Sequence, residues 1–143
     1  MTSAADAITA RLRLHHVGIV VDELDAAEAR YHALGFTDGE RFSVREQGIE
    51  AIVFRAGDDG WVELISPTDP EGPIARYMAK RGEGTHHVAY QVDDIEGELA
   101  RLKAAGVRLI DEAPRQGTHD WTIAFIHPES TNGVLTELVQ VNS

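Results

Sequence analysis

The chain has 143 residues, 43% hydrophobic and 26% charged, with a formal net charge of -11 and no cysteine, a composition that suits one folded domain with its own core. The charge argues against nucleic acid or an anionic membrane surface as partner, because both require a basic patch. The opening stretch MTSAADAITARLRL lacks the apolar run of a secretion signal and no segment approaches the 18 apolar residues of a membrane span, so a soluble, cytoplasmic protein is expected.

In chain order, the first element is a β-rich run, HHVGIVV at 15–21, followed by the acidic pair Asp22 and Glu23 that can cap a helix. The amphipathic segment LDAAEARYHAL and its stop at Gly35 then predict a helix, and GIEAIVF and WVELISP predict strands around the turn GDDG. Residues 67–84 read as a turn, a short helix and a Gly-rich connection. The pattern then returns: HHVAYQV at 86–92, the pair Asp93 and Asp94, the helical segment IEGELARLKAA, Gly106, and the strands WTIAFIHP and GVLTELVQV. Leu14–Phe36 aligned on Thr85–Val107 at a constant offset of 71 has nine identities in 23 positions, too many at one register for chance. The chain is an α+β fold of two βαβββ repeats in a single domain over 1–143, with repeat one at about 12–66, the connection at about 67–84 and repeat two at about 85–141. Two such sheets facing each other are expected to curl around a shared cleft.

The duplication places polar groups in pairs. Strand side chains alternate between faces, so His16 shares a face with the small Gly18, and His87 one with the small Ala89. His15, with Val17, Ile19 and Val21, is expected on the helix-packed face, and His15 and His86 are read as structural residues at strand starts. Glu63 and Glu137 fall in equivalent last strands, offset by 74. Two imidazoles and two carboxylates suit a divalent Co, Mn, Ni or Zn ion, with two coordination positions left for a chelating substrate. The metal-ligating candidates are therefore His16, Glu63, His87 and Glu137.

With these residues in hand, HHVAYQVDDIEGELARLKAAGVRLIDEAPRQG, FIHPESTNGVLTELVQ, EQG at 46–48 and GPIARYMAKRGEG resemble the vicinal oxygen chelate superfamily (the glyoxalase-like fold) and, within it, the methylmalonyl-CoA epimerase family. The resemblance implies a metal-dependent isomerase, usually a homodimer, acting on a small-molecule acyl-CoA. It would interconvert the (R) and (S) epimers at C2 of methylmalonyl-CoA by proton abstraction through a metal-stabilised enolate. It further implies catalytic carboxylates at Glu137 and on the strand after EQG, for which Glu50 is the candidate and Glu46 the fallback, and substrate contacts at Gln47 and His127; Trp121, outside the family pattern, is a third substrate-contact candidate.

Two departures from the family pattern bear on this. Glu50 comes two residues after Gly48 where the pattern has three, and a one-residue shift turns a strand side chain to the other face. The stretch THDW at 118–121 replaces a Gly-rich segment and is expected to add the bulk of Trp121 and the charge of Asp120 beside the acyl group. Rival readings are a glyoxalase I-like lactoylglutathione lyase, an enzyme of the same fold on another acyl-CoA, and a metal-free drug-binding module. Arg76, Lys80 and Arg81 are candidates for nucleotide phosphates, though a solvated helix face explains them as well.

Overall fold

The computed structural model describes residues 10–142; the first nine residues of the segment read for a targeting signal lie outside the described residues. Repeat one runs β1 (Arg13–Val20), α1 (Leu24–Leu34), β2 (Glu40–Val44), a 3-10 turn (Arg45–Gln47), β3 (Ile49–Ala56) and β4 (Gly60–Pro67). Helix α2 (Pro73–Arg81) connects it to repeat two, which runs β5 (Gly84–Gln91), α3 (Ile95–Ala104), β6 (Arg115–Gln116), β7 (Trp121–Ile126), a 3-10 turn (Pro128–Thr131) and β8 (Thr136–Val141). The strand missed by sequence reading in each repeat is the edge one, β2 or β6, where exposed residues such as Arg41 and Gln116 leave no clean apolar alternation.

The eight strands form one sheet in the order β2-β3-β4-β1-β5-β8-β7-β6. This corrects the expectation of two facing sheets: β1 and β5 pair antiparallel at the centre and join the repeats into one curled surface. Helices α1 and α3 cover its outer face. Leu24 and Ala27 of α1 pack with Val21, Ile52, Phe54 and Leu64, while Ile95 and Leu99 of α3 pack with Val92, Ala124, Ile126 and Leu138. The concave face has its own apolar lining, including Val53, Trp121, Ile123, Phe125 and Val139.

The helix ends follow the local chemistry unevenly. Asp94 accepts a hydrogen bond from the Gly97 N–H at 3.1 Å, as expected of an N-cap. Glu23, one methylene longer, makes no such bond. Gly35 ends α1 at φ 118°, a conformation that glycine alone adopts without strain, and its N–H returns to the His32 carbonyl.

Candidate metal centre and active-site cavity

Strand register assembles the centre. On β1 and β5 the pairing sets His16 opposite Ala89 and Gly18 opposite His87, so each histidine faces a small residue of the other strand. Parallel pairing then sets Glu63 of β4 beside Gly18 and Glu137 of β8 beside Ala89. The result is two rows, Glu63–Gly18–His87 and His16–Ala89–Glu137, related by the repeat. Gly18 is required here, because a Cβ on it would lie 2.1 Å from Cε1 of His87. Gly18→Ala is therefore expected to displace the His87 ring, destabilising the fold by about 1–3 kcal/mol and weakening binding of a cobalt ion at least about tenfold, read by thermal melting and by titration of the cobalt absorption.

The four side chains converge. His16 Nε2 lies 3.0 Å from His87 Nε2, 3.1 Å from Glu137 Oε1 and 3.4 Å from Glu63 Oε1, and His87 Nε2 lies 3.5 Å from Glu63 Oε1. All four residues are at most 4% exposed. Burial would keep the His16 imidazole neutral, but the carboxylates of Glu137 and Glu63 outweigh it and push its pKa up to about 9. Burial likewise penalises the charge of Glu63, and the two imidazoles overcome this and hold its carboxyl well below the usual carboxylate range. Thr118 Oγ1 donates to Glu63 Oε2 at 2.5 Å and turns Oε1 toward the histidines.

This donor set fits a divalent cation. Two buried carboxylates sit against two imidazoles, a net negative charge in a dry site, and Glu137 Oε1, buried 3.1 Å from His16 Nε2, meets no donor in hydrogen-bonding geometry among the described residues. His16, His87 and Glu137 each offer one atom within 4.8 Å of the others, and Glu63 Oε1 stands against the same two nitrogens. Imidazole with carboxylate is the ligand chemistry of Mn, Co, Ni and Zn rather than of Ca or Mg.

Beyond the centre a cavity of about 290 Å³ opens, lined by Glu46, Gln47, Ile65, Ile74, Arg115 and Phe125 among others, with Glu63, His87 and Glu137 on its wall. Gln47 ties the 3-10 turn of repeat one to repeat two by donating from Nε2 to the Gln116 carbonyl at 2.9 Å. Trp121 also lines the cavity, 2% exposed and stacked on the His16 ring at 5.0 Å and 17°. Arg115 is the one lysine or arginine among the lining residues, held 3.3 Å from Asp111. Sequence reading missed it because β6 is only two residues long.

Three expectations need correction. The β3–β4 ladder runs from Ile49 to Ala56 without a bulge, so alternation puts Ile49, Ala51 and Val53 toward the cavity and Glu50 on the helix side with Ile52 and Phe54. Glu50 therefore cannot reach the cavity, and Glu46, on the turn just before β3, lines it. His127 is not a lining residue: it ends β7, and its Nδ1 accepts the Glu129 N–H at 3.0 Å to cap the next turn. The charge of Asp120 does not enter this cavity either. Asp120 pairs with His119 at 2.7 Å and faces a second cavity of about 910 Å³ on the far side of Trp121. The basic residues of α2 also lie elsewhere, with Arg76 turned back onto the Glu71 carbonyl.

The sequence profile of the Glyoxalase/Bleomycin resistance protein/Dioxygenase superfamily matches residues 15–125. The chain belongs to that superfamily. Its superfamily relatives include the ethylmalonyl-CoA/methylmalonyl-CoA epimerase of Cereibacter sphaeroides, 37% identical over 132 residues that span 90% of this chain and 98% of the relative. Among solved structures, the methylmalonyl-CoA epimerase of Mycobacterium tuberculosis superposes with a TM-score of 0.88 at 36% identity, covering 100% of this chain and 94% of that one. That of Streptomyces coelicolor, in complex with 2-nitronate-propionyl-CoA, superposes with a TM-score of 0.88 at 33% identity over 94% of this chain and 97% of that one. The two-repeat sheet described above is thus the fold of those epimerase structures.

Proposed function

We infer that this protein is a divalent-metal-dependent epimerase that interconverts the C2 epimers of methylmalonyl-CoA. The observation that carries the reading is that two carboxylates unlike in setting, buried Glu137 and exposed Glu46, line one cavity together with His87 and Glu63 of the centre. Its support is the family: the Cereibacter sphaeroides relative, almost fully covered by this chain, is an epimerase of such acyl-CoA thioesters.

The reaction removes a proton from a carbon between a carboxylate and a thioester and returns one on the opposite face. His16, His87, Glu63 and Glu137 would hold the cation, which when bound supplies Lewis-acid polarisation of the thioester oxygen and a seat for the substrate carboxylate. The rest falls to the chain's own groups. Glu46 reaches the substrate from the open side and exchanges the proton on one face; Glu137 serves the other from the floor. Ile65, Ile74 and Phe125 keep water from the carbanionic centre. Thr118 holds Glu63 in place, and Gln47 braces the turn that carries Glu46.

Retention of all four polar positions favours this over a metal-free binding module, in which an uncompensated buried cluster would be costly. Incubation of methylmalonyl-CoA with cobalt-loaded protein in deuterium oxide is expected to exchange the C2 proton, followed by NMR. Bound cobalt without exchange would sink the epimerase reading and leave the metal centre standing. Arg115, at the wall of an otherwise acidic cavity, is placed to meet the anionic substrate. Arg115→Ala is expected to raise KM about tenfold, the worth of one charge-assisted hydrogen bond, with kcat changed less; an equal fall of kcat at unchanged KM would count against a binding role.

A further inference from the structure

We propose that His15 and His86 are the positioning residues of the centre, each using an Nδ1–Nδ1 hydrogen bond to fix the tautomer in which His16 and His87 offer a free Nε2 lone pair to the cation. The proposal rests on the metal-centre reading given above and assigns a task to two histidines that strand alternation alone leaves as packing residues.

The first observation is the geometry of contact. His15 Nδ1 lies 2.8 Å from His16 Nδ1, and His86 Nδ1 lies 2.9 Å from His87 Nδ1. Neighbouring residues of a regular strand point to opposite faces and cannot meet this way. The backbone shows how they do. Along the β1–β5 ladder Leu14 pairs with Tyr90 and His16 with Ala89, so His15 is an extra residue on β1; Gly18 pairs with His87 and Ile19 with Thr85, so His86 is an extra residue on β5. Each histidine is the bulged residue of its strand, and a bulge re-aims a side chain at the cost of one ladder position. The same irregularity at equivalent places in both repeats brings each His-His pair into ring contact.

The second observation is a count of protons. A neutral imidazole has one N–H and one lone pair, and an Nδ1···Nδ1 bond needs one hydrogen between its two nitrogens. For His16 to present an unprotonated Nε2 to a cation, its hydrogen must sit on Nδ1 and be donated to His15, which must then carry its own hydrogen on Nε2. His87 and His86 are bound by the same count. Ligand histidines in general are oriented by an acceptor on the second ring nitrogen, most often a carboxylate or a carbonyl. Here the acceptor is a neutral ring, so orientation is gained without a third negative charge beside Glu63 and Glu137. The outer rings are themselves held edge-on, His15 against Trp121 at 4.6 Å and 89° and His86 against Tyr77 at 4.7 Å and 83°.

The test compares His15→Phe, which keeps a flat ring and loses the acceptor, with His15→Asp, which restores one, and with His86→Phe as the equivalent change at a less buried position. Cobalt affinity, followed by visible absorption, is expected to fall about 10–100-fold in each Phe variant and to return to within about threefold in His15→Asp. Long-range proton–nitrogen NMR of the zinc-loaded wild type is expected to show His16 and His87 protonated at Nδ1. Wild-type affinity in both Phe variants, an equal loss in His15→Phe and His15→Asp, or Nε2-protonated His16 in the loaded protein would each overturn the proposal. Should His15→Phe not fold, His86→Phe decides. Failure of the wild type itself to take up cobalt would overturn the metal reading and the proposal with it, an outcome separate from intact binding by the variants.

Discussion

Glu46→Gln is expected to slow inversion at C2 of methylmalonyl-CoA by about 10²–10⁴-fold, the range a positioned acid–base group supplies, while Glu50→Gln changes the rate by no more than about twofold, as for a residue away from the site. The contrast follows from backbone register. The unbroken β3–β4 pairing commits Glu50 to the face that packs on α1, and Glu46 precedes the strand on a turn that borders the cavity. The amide keeps size and polarity but cannot take a proton. If Glu137 serves the other face, one epimer of the substrate should still exchange its C2 proton with solvent deuterium in Glu46→Gln although inversion is lost. Parallel NMR and chiral analysis of the thioester separates these events. Undiminished inversion in Glu46→Gln would remove it from the mechanism and reopen the choice of the second carboxylate.

Stripping the cation with a chelator is expected to abolish exchange and to change how stability depends on pH. The loaded protein gains about 4 kcal/mol when free metal is about a thousandfold above its dissociation constant. In the stripped protein the signs run in two directions. His16 is raised from 6.5 to about 9 by Glu137 and Glu63 against the opposing pull of burial, so its contribution is complete below pH 6.5 and is lost as pH rises to about 9. His15 and His86 are lowered from 6.5 to about 4, chiefly by burial and then by the neighbouring His16 and His87. Their contribution is complete above pH 6.5 and is lost as pH falls to about 4. Each group contributes at most about 1.4 kcal/mol per pH unit, less for the partly exposed His86. The stripped protein should therefore melt highest near pH 6.5. Metal competes with the proton on His16, so loading should move the optimum above pH 7. Calorimetry of both forms at pH 5, 6.5 and 8.5 checks this, and equal melting temperatures of the stripped protein at 6.5 and 8.5 would contradict the buried ion pair.

Much of the site is legible in the sequence alone. His16, His87, Glu63 and Glu137 stand out because the repeat puts the same chemistry at one offset in two places, and strand periodicity predicts their common face. The pairing rows of β4, β1, β5 and β8 explain why that prediction succeeds: an uninterrupted register carries a two-residue alternation across the sheet. Where the register is interrupted, the same reasoning fails. Alternation assigns His15 to the helix side with Val17, Ile19 and Val21; Val21 does pack there, and the bulge takes His15 to Trp121.

The failures share one physical origin. Glu46 against Glu50 turned on whether β3 carries an extra residue, Asp120 on which side of Trp121 a left-handed His119 (φ 60°) directs the chain, and Arg115 on a strand too short to show a period. Composition, repeat and alternation, which are local or self-similar properties, sufficed for the fold class and for the four central residues. The identity of the second carboxylate, the partition of the two cavities by one indole and the pairing of each outer histidine with its inner neighbour depend on one-residue shifts in strand pairing. Such shifts cost little in local propensity and are settled by which partners the assembled sheet brings opposite each other, so only the tertiary structure decides them.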